Sequence, residues 1–210
     1  MKEVKLKVCG MTLAANIAAV ASLRPDYMGF IFYDQSPRMI TDVSAELIKY
    51  IPAEIKSVGV FVDEDLAVVK KKVQDYQLKA VQLHGRESIA YCEDLKNSFS
   101  GLEVIKAFGV DEHFDFTVLT GYQEVTDYFL FDTKTKAHGG SGKTFDWKML
   151  EHYTLNKPYF LSGGIDLEHA AAIAKIEDAR LHALDINSRF EVEPGIKDAE
   201  KIREFIIAVK

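Results

Sequence analysis

The sequence predicts an α/β protein, a single closed (β/α)8 barrel with parallel strands inside an outer ring of helices. Three observations carry this. Eight short runs rich in Val, Ile, Phe and Tyr recur along the chain, starting near Val4, Tyr27, Val58, Ala80, Val104, Tyr128, Tyr159 and His182. Eight segments of helical spacing alternate with them, at 13–23, 43–51, 66–76, 88–95, 112–119, 145–153, 167–176 and 199–209. Dividing 210 residues among eight strand–helix units leaves about 26 per unit, the compact end for a closed barrel. An open doubly wound sheet is the alternative and would ordinarily use fewer strands.

Side-chain parity justifies the elements in turn. In the first strand Val4, Leu6 and Val8 share one face, and Lys5, Lys7 and Cys9 share the other. The Ala-rich segment 13–23 supplies the first helix. Gly29-Phe30-Ile31-Phe32 and Val58-Gly59-Val60-Phe61 mark the second and third strands, each followed by a helical segment. The fourth strand sets Val81 and Leu83 opposite Ala80, Gln82 and His84. After the fifth, from Val104, the segment 112–119 is rich in aromatic and β-branched residues that lower helicity, so its place in the alternation supports a helix more than its composition does. The sixth strand, Tyr128-Phe129-Leu130-Phe131, ends on Asp132, which points inward with Leu130. The seventh leads into Gly163-Gly164, and the eighth sets Leu184 and Ile186 opposite Ala183, Asp185 and Asn187. Apolar faces suit the helix ring, and polar faces rise inside the barrel toward a C-terminal rim. A half-exposed antiparallel sheet would alternate similarly but leaves the helices unexplained. No Pro/Ser-rich linker divides the chain, so one domain is expected over residues 1–210.

Composition narrows the function. Acidic residues outnumber basic ones by 32 to 26, for a net charge of -6, which disfavours nucleic acid and anionic membranes as partners. The N-terminus alternates charged and apolar residues, unlike a signal peptide, and no stretch approaches the roughly 18 uninterrupted apolar residues of a membrane span. A cytoplasmic protein is expected. Its two cysteines, Cys9 and Cys92, make neither a disulfide framework nor a structural zinc site. The six histidines show no metal-ligand spacing, and no cofactor is expected.

Few polar residues stand at the strand ends. Cys9 shares a face with Lys7, and a nearby ammonium is expected to favour its thiolate, although a lone cysteine is ordinarily an inert small hydrophobe. Cys92 reads as core. Asp132 is either a proton donor or a structural group, capping a turn or pairing with an interior lysine such as Lys106. The segment Gly139-Gly140-Ser141-Gly142-Lys143-Thr144 has Ala137 where a phosphate-cradling loop would need glycine, so a mobile lid over the barrel mouth is the better reading. Two other loops suit a phosphate: Ser162-Gly163-Gly164-Ile165-Asp166, before a helix from Leu167, and Asp185-Ile186-Asn187-Ser188-Arg189.

Taken together, the chain resembles the phosphoribosylanthranilate isomerase family, (β/α)8 enzymes of tryptophan biosynthesis. The resemblance spans essentially the whole length. It rests on Lys7-Val8-Cys9-Gly10-Met11-Thr12, Gly29-Phe30-Ile31-Phe32 with Ser36-Pro37-Arg38, and Val58-Gly59-Val60-Phe61. It continues through Val81-Gln82-Leu83-His84-Gly85, Phe131-Asp132-Thr133, the segment 139–147, Leu161-Ser162-Gly163-Gly164 and the segment 191–198.

The resemblance implies a cofactor-free Amadori rearrangement of a small phosphorylated aminosugar, with Asp132 as general acid and Cys9 as general base. It assigns Arg38 to the anthranilate carboxylate, lines the pocket with Gln82, His84 and Asp185, and seats the phosphate on Gly163, Gly164 and Ser188. Arg189 stands where the family usually has glycine, and is either a further phosphate contact or an outward-turned side chain. His138 replaces an aromatic often found before the Gly-Gly. At neutral pH the acid must hold its proton and the base must lack one, the reverse of ordinary carboxyl and thiol behaviour. Aromatic enclosure of the acid and the charge of Lys7 beside the thiol are the expected means of inversion. A histidine-pathway aminoaldose isomerase and a silent phosphate-binding barrel are the alternatives, and either a monomer or a homodimer is expected.

Overall fold

The structure, a computed structural model, describes residues 4–41, 45–134 and 145–209. Eight parallel strands close in sequence order into a barrel: β1 (Lys5–Cys9), β2 (Tyr27–Ile31), β3 (Lys56–Phe61), β4 (Ala80–Leu83), β5 (Glu103–Val110), β6 (Tyr128–Thr133), β7 (Tyr159–Leu161) and β8 (Leu181–Ile186). The first strand pairs with the last, Lys7 opposite Asp185, and this pairing completes the ring.

The expected parity holds. Tyr27, Val58, Ala80, Ile105, Ala107, Leu130, Phe160 and Ala183 form one buried cluster inside the barrel. Leu6, Val8, Val81, Leu83, Leu184 and Ile186, from the opposite faces of their strands, belong to the second and larger core between sheet and helices. Aromatic rings plug the interior core: Phe160 packs edge-on against Tyr27 at 5.2 Å and against Tyr128 at 5.4 Å. Cys92 is fully buried in the outer core, as its setting predicts.

The helix ring departs from expectation. Full α-helices form as α1 (Ala14–Ser22), α2 (Leu66–Tyr76) and α3 (Ile89–Ser98), where Asp65 and Ser88 cap the second and third by accepting backbone N–H groups. The segments expected at 43–51, 112–119 and 145–153 are instead short 3-10 turns, Glu46–Tyr50, Phe116–Tyr122 and Trp147–His152. Phe116–Tyr122 carries the aromatic and β-branched residues that lower helicity, and in all three the 3-10 form still closes a turn against the sheet, residues 43 and 44 lying outside the described residues. The helix expected at 167–176 begins as a 3-10 turn, Leu167–His169, and continues only as α4 (Ala170–Ile173).

After β8 the chain makes a 3-10 turn at Ser188–Phe190 and then a hairpin that the strand periodicity does not reveal, β9 (Glu191–Glu193) with β10 (Ile196–Lys197). Asn16 of α1 clasps it, donating to the Lys197 carbonyl and accepting the Lys197 N–H, both at 2.8 Å. The last helix, α5 (Ala199–Val209), buries Ile202 and Phe205. Of the expected lid at 139–147, residues 139–144 lie outside the described residues, as does His138. Among the described residues no helix is long and apolar enough to cross a membrane.

Phe160 is completely buried. Truncating it to alanine removes the ring that fills the barrel interior, so Phe160→Ala is expected to cost about 3–5 kcal/mol, read from the urea midpoint at unchanged slope.

Candidate active site

A cavity of about 320 Å³ opens at the C-terminal ends of the strands. It is lined by Cys9 from β1, Arg38 from the loop after β2, Gln82 and His84 at the end of β4, and Asp132 on β6. Gly163, Gly164, Asp185, Ser188 and Arg189 complete the set of ten residues singled out from the sequence, drawn from six of the eight strands and their following loops. Among the described residues no group of His, Cys, Asp and Glu is arranged to hold a metal ion.

A polar chain runs across the barrel. Fully buried Lys7 donates from Nζ to Gln82 Oε1 at 2.7 Å and to Asp185 Oδ2 at 2.8 Å. An ammonium offers only donors, so the Gln82 oxygen faces it and the Gln82 amide nitrogen faces His84 Nδ1, 2.7 Å away. His84 Nδ1 is therefore an acceptor and its hydrogen sits on Nε2, 3.4 Å from Asp132 Oδ2. Thr133 N–H donates to the other Asp132 oxygen at 2.8 Å. The carboxylate thus has polar partners where aromatic enclosure was expected. Lys106 does not pair with it: it forms a buried ion pair with Glu87 at 3.2 Å and donates to the Gly85 carbonyl at 2.8 Å.

Cys9 sits beside Lys7, but the expected lowering of its thiol is reversed. Burial pushes it above the ordinary cysteine value, and Asp185 adds to this, outweighing the opposing pull of Lys7 and Lys197. Lys7 is the strongest pull toward the thiolate even though it is paired with Asp185, but burial of the thiol outweighs it. Burial acts against the Lys7 ammonium, yet Asp185 and Cys9 hold it above the usual lysine range. Burial raises Asp185, against the pull of Lys7. Its Oδ1 is buried without a hydrogen-bond partner, an acceptor on a cavity-lining residue.

Glycines shape the rim. A β-carbon on Gly29 would lie 2.6 Å from Cys9 Sγ, so β2 must pass the thiol without a side chain. Gly163 has a φ of +91°, and a β-carbon there would meet Thr133 Oγ1 at 2.4 Å and Asp132 Oδ1 at 3.1 Å. Gly164 follows at +63°. The helix expected to assist this loop is reduced to a short turn, so backbone N–H groups rather than a long helix dipole are what the Gly163-Gly164 turn offers an anion.

Two residues carry structure here that the sequence reading passed over, Glu191 and Lys197. Arg38 is held by Glu191 in a forked ion pair, Nε donating at 2.9 and 3.0 Å and Nη2 at 2.8 Å. Lys197, nearly fully buried, donates to Glu191 Oε1 and to Asn187 Oδ1. Both lie in the segment 191–198, where two acidic residues and a lysine flank Pro194-Gly195; that dipeptide is the turn signal that marks the hairpin. Arg189 lies near Asp166, whose carboxyl accepts from Lys201 at 2.7 Å, while Lys201 also donates to the Arg189 carbonyl.

The family model for N-(5'-phosphoribosyl)anthranilate (PRA) isomerase matches residues 6–208. The N-(5'-phosphoribosyl)anthranilate isomerase of Parabacteroides distasonis is 41% identical over 96% of this chain and 91% of its own. A crystal structure of phosphoribosyl anthranilate isomerase in complex with reduced 1-(o-carboxyphenylamino)-1-deoxyribulose 5-phosphate superposes with a TM-score of 0.83 at 32% identity, covering 99% of this chain and 98% of the other. Monomers generated from the dimeric Thermotoga maritima enzyme superpose with the same score, 0.83, at 32% identity over 99% and 98% of the two chains.

Two stability measurements test the site's construction. Lys7→Met strands the Asp185 charge in the barrel and is expected to cost about 3–5 kcal/mol in chemical denaturation, much of it recovered in Lys7→Met/Asp185→Leu. Burial alone would raise the Glu191 carboxyl, but Arg38 and Lys197 hold it below the ordinary glutamate value. Unfolding therefore takes up a proton at acid pH. The stabilisation is full above about pH 4.5 and fades as pH falls through the lower folded value, so wild type should lose stability in this range more steeply than Glu191→Gln.

Proposed function

The chain belongs to the N-(5'-phosphoribosyl)anthranilate isomerase family, and from that premise we propose that Cys9 and Asp132 are its proton-transfer pair. The activity is the isomerisation of N-(5-phospho-β-D-ribosyl)anthranilate to 1-(2-carboxyphenylamino)-1-deoxy-D-ribulose 5-phosphate in tryptophan biosynthesis. Asp132 protonates the ribose ring oxygen and opens the ring to a Schiff base. Cys9 removes the C2 proton, and the resulting enolamine tautomerises to the ketose.

The observation that carries this reading is that a buried thiol and a carboxylate from opposite sides of the barrel line one cavity with Arg38 and a glycine turn. The raised thiol is a scarcer base but a stronger one. His84, whose Nε2 hydrogen faces Asp132, orients the acid. The unpartnered Asp185 Oδ1 is suited to accept a substrate hydroxyl. Arg38 offers its guanidinium to the anthranilate carboxylate, and Gln82 completes the wall. The phosphate sits on backbone N–H groups at Gly163, Gly164 and Ser188, with Arg189 adding charge in place of the backbone approach a glycine would allow. We further place the enzyme in the cytoplasm as one barrel domain over residues 1–210, working as a monomer or homodimer without nucleic acid or membrane.

Asp132→Asn and Cys9→Ala should each lower turnover by about 10²–10⁴-fold with the fold intact. Near-normal turnover by folded Asp132→Asn would refute the acid role. In cells, the wild-type chain should rescue a tryptophan auxotroph lacking this step; failure with well-expressed protein, or activity only on the histidine-pathway aminoaldose, would reverse the substrate assignment.

A further inference from the structure

We infer that Lys197 is a positioning residue for this reaction: with Glu191 it sets the charge and orientation of Arg38, and it adds to the positive potential that Lys7 places beside the Cys9 thiol. The inference rests on the roles proposed above for Arg38 and Cys9.

Lys197 reaches the site from the β9–β10 hairpin. Its Nζ donates to Glu191 Oε1 at 2.5 Å and to Asn187 Oδ1 at 2.7 Å. The same carboxylate takes the Arg38 fork and the Gly195 N–H at 3.1 Å. Two cations therefore share one anion, leaving an excess positive charge beside the cavity. Lys7 is paired one to one with Asp185 but still pulls on the Cys9 thiol, and Lys197 pulls in the same direction.

The cluster presses against the chain next to the thiol. Gly10 follows Cys9 at a φ of +81°, and a β-carbon there would lie 2.9 Å from Asn187 Oδ1 and 3.0 Å from Arg38 Cδ. The charged and titratable groups facing Lys197 come from three elements: Glu191 of β9, Cys9 of β1 and Arg38 of the loop after β2. Burial pushes the lysine down to about 8, against the pull of Glu191 and Cys9. A purely structural tie would be cheaper in apolar form, since burying a paired ammonium seldom adds stability over a packed hydrocarbon.

The network makes opposite predictions for its two members. Lys197→Met leaves Arg38 fully neutralised by Glu191, so the substrate carboxylate binds less well and the thiolate loses a nearby cation. Glu191→Gln leaves both cations and one fewer anion. The readout is the pH dependence of Cys9 alkylation by iodoacetamide, resolved from Cys92 by peptide mass spectrometry, with KM and kcat measured in parallel. In Lys197→Met the Cys9 midpoint should rise by about one pH unit and KM should increase roughly tenfold, with Lys197→Arg close to wild type. In Glu191→Gln the midpoint should fall. Midpoints unchanged in both folded variants, or shifted in the same direction, would overturn the inference. If Lys197→Met does not fold, Glu191→Gln alone decides by the sign of its shift. Normal turnover by Cys9→Ala would instead defeat the base assignment, and the alkylation midpoints would still report on Lys197.

Discussion

One ammonium group at the centre of the barrel organises the site. Lys7 has no contact with water, and its desolvation is offset by the partners that β4 and β8 bring to it and by Cys9 on its own strand. Because a lysine can only donate, its position dictates which end of the Gln82 amide faces it, hence which nitrogen of His84 accepts and which carries the hydrogen toward Asp132. A single unambiguous donor on β1 thereby orients a chain of ambiguous groups reaching β6. The same ammonium also pulls the Cys9 thiol down, but less than burial pushes it up.

Buried lysines recur around the upper part of the barrel, each with a carboxylate. Lys7 meets Asp185, Lys106 meets Glu87 and Lys197 meets Glu191, with the lysine in each pair almost completely buried. Such pairs add little stability compared with hydrocarbon, but removing one member is costly, so each fixes a loop or strand end in one arrangement. Lys106 ties β5 to the loop after β4 through Glu87 and the Gly85 carbonyl. Lys197 and Arg38 tie the final hairpin to the loop after β2 through Glu191. The apolar interior below, packed around Phe160, leaves this rim as the part of the barrel where charge accumulates.

Strand identity was legible because period-two alternation survives even in a short run: Leu130 and Asp132 share a face in the sequence as they do in the barrel. The helix ring was less so. Helical spacing in 43–51 or 145–153 shows which side chains face the sheet, but 3-10 and α turns share that signal, so it does not separate them. The strand-end positions of Cys9, Gln82, Asp132 and Asp185 followed from parity alone. Glu191 and Lys197 did not, because they reach the cavity only through a hairpin clasped by Asn16, more than 170 residues upstream. The direction of the Cys9 shift was hidden for a related reason: Lys7 is two residues away, but the burial that outweighs it comes from strands distant in the chain, such as β2 at Gly29.

That distance bears on how the protein comes into being. Lys7 and Asp185 are separated by 178 residues, so on a ribosome the lysine emerges long before its counter-ion. Until β8 arrives, β1 has one free edge and an unanswered charge, and no partial product can hold the barrel closed. Long-range pairing of this kind slows folding, since chain-closure entropy must be met before the contact rewards it. A chain released before Asp185 would carry Cys9 and Asp132 intact yet lack a closed barrel around them. Closure of the barrel around the site is therefore bound to the arrival of β8.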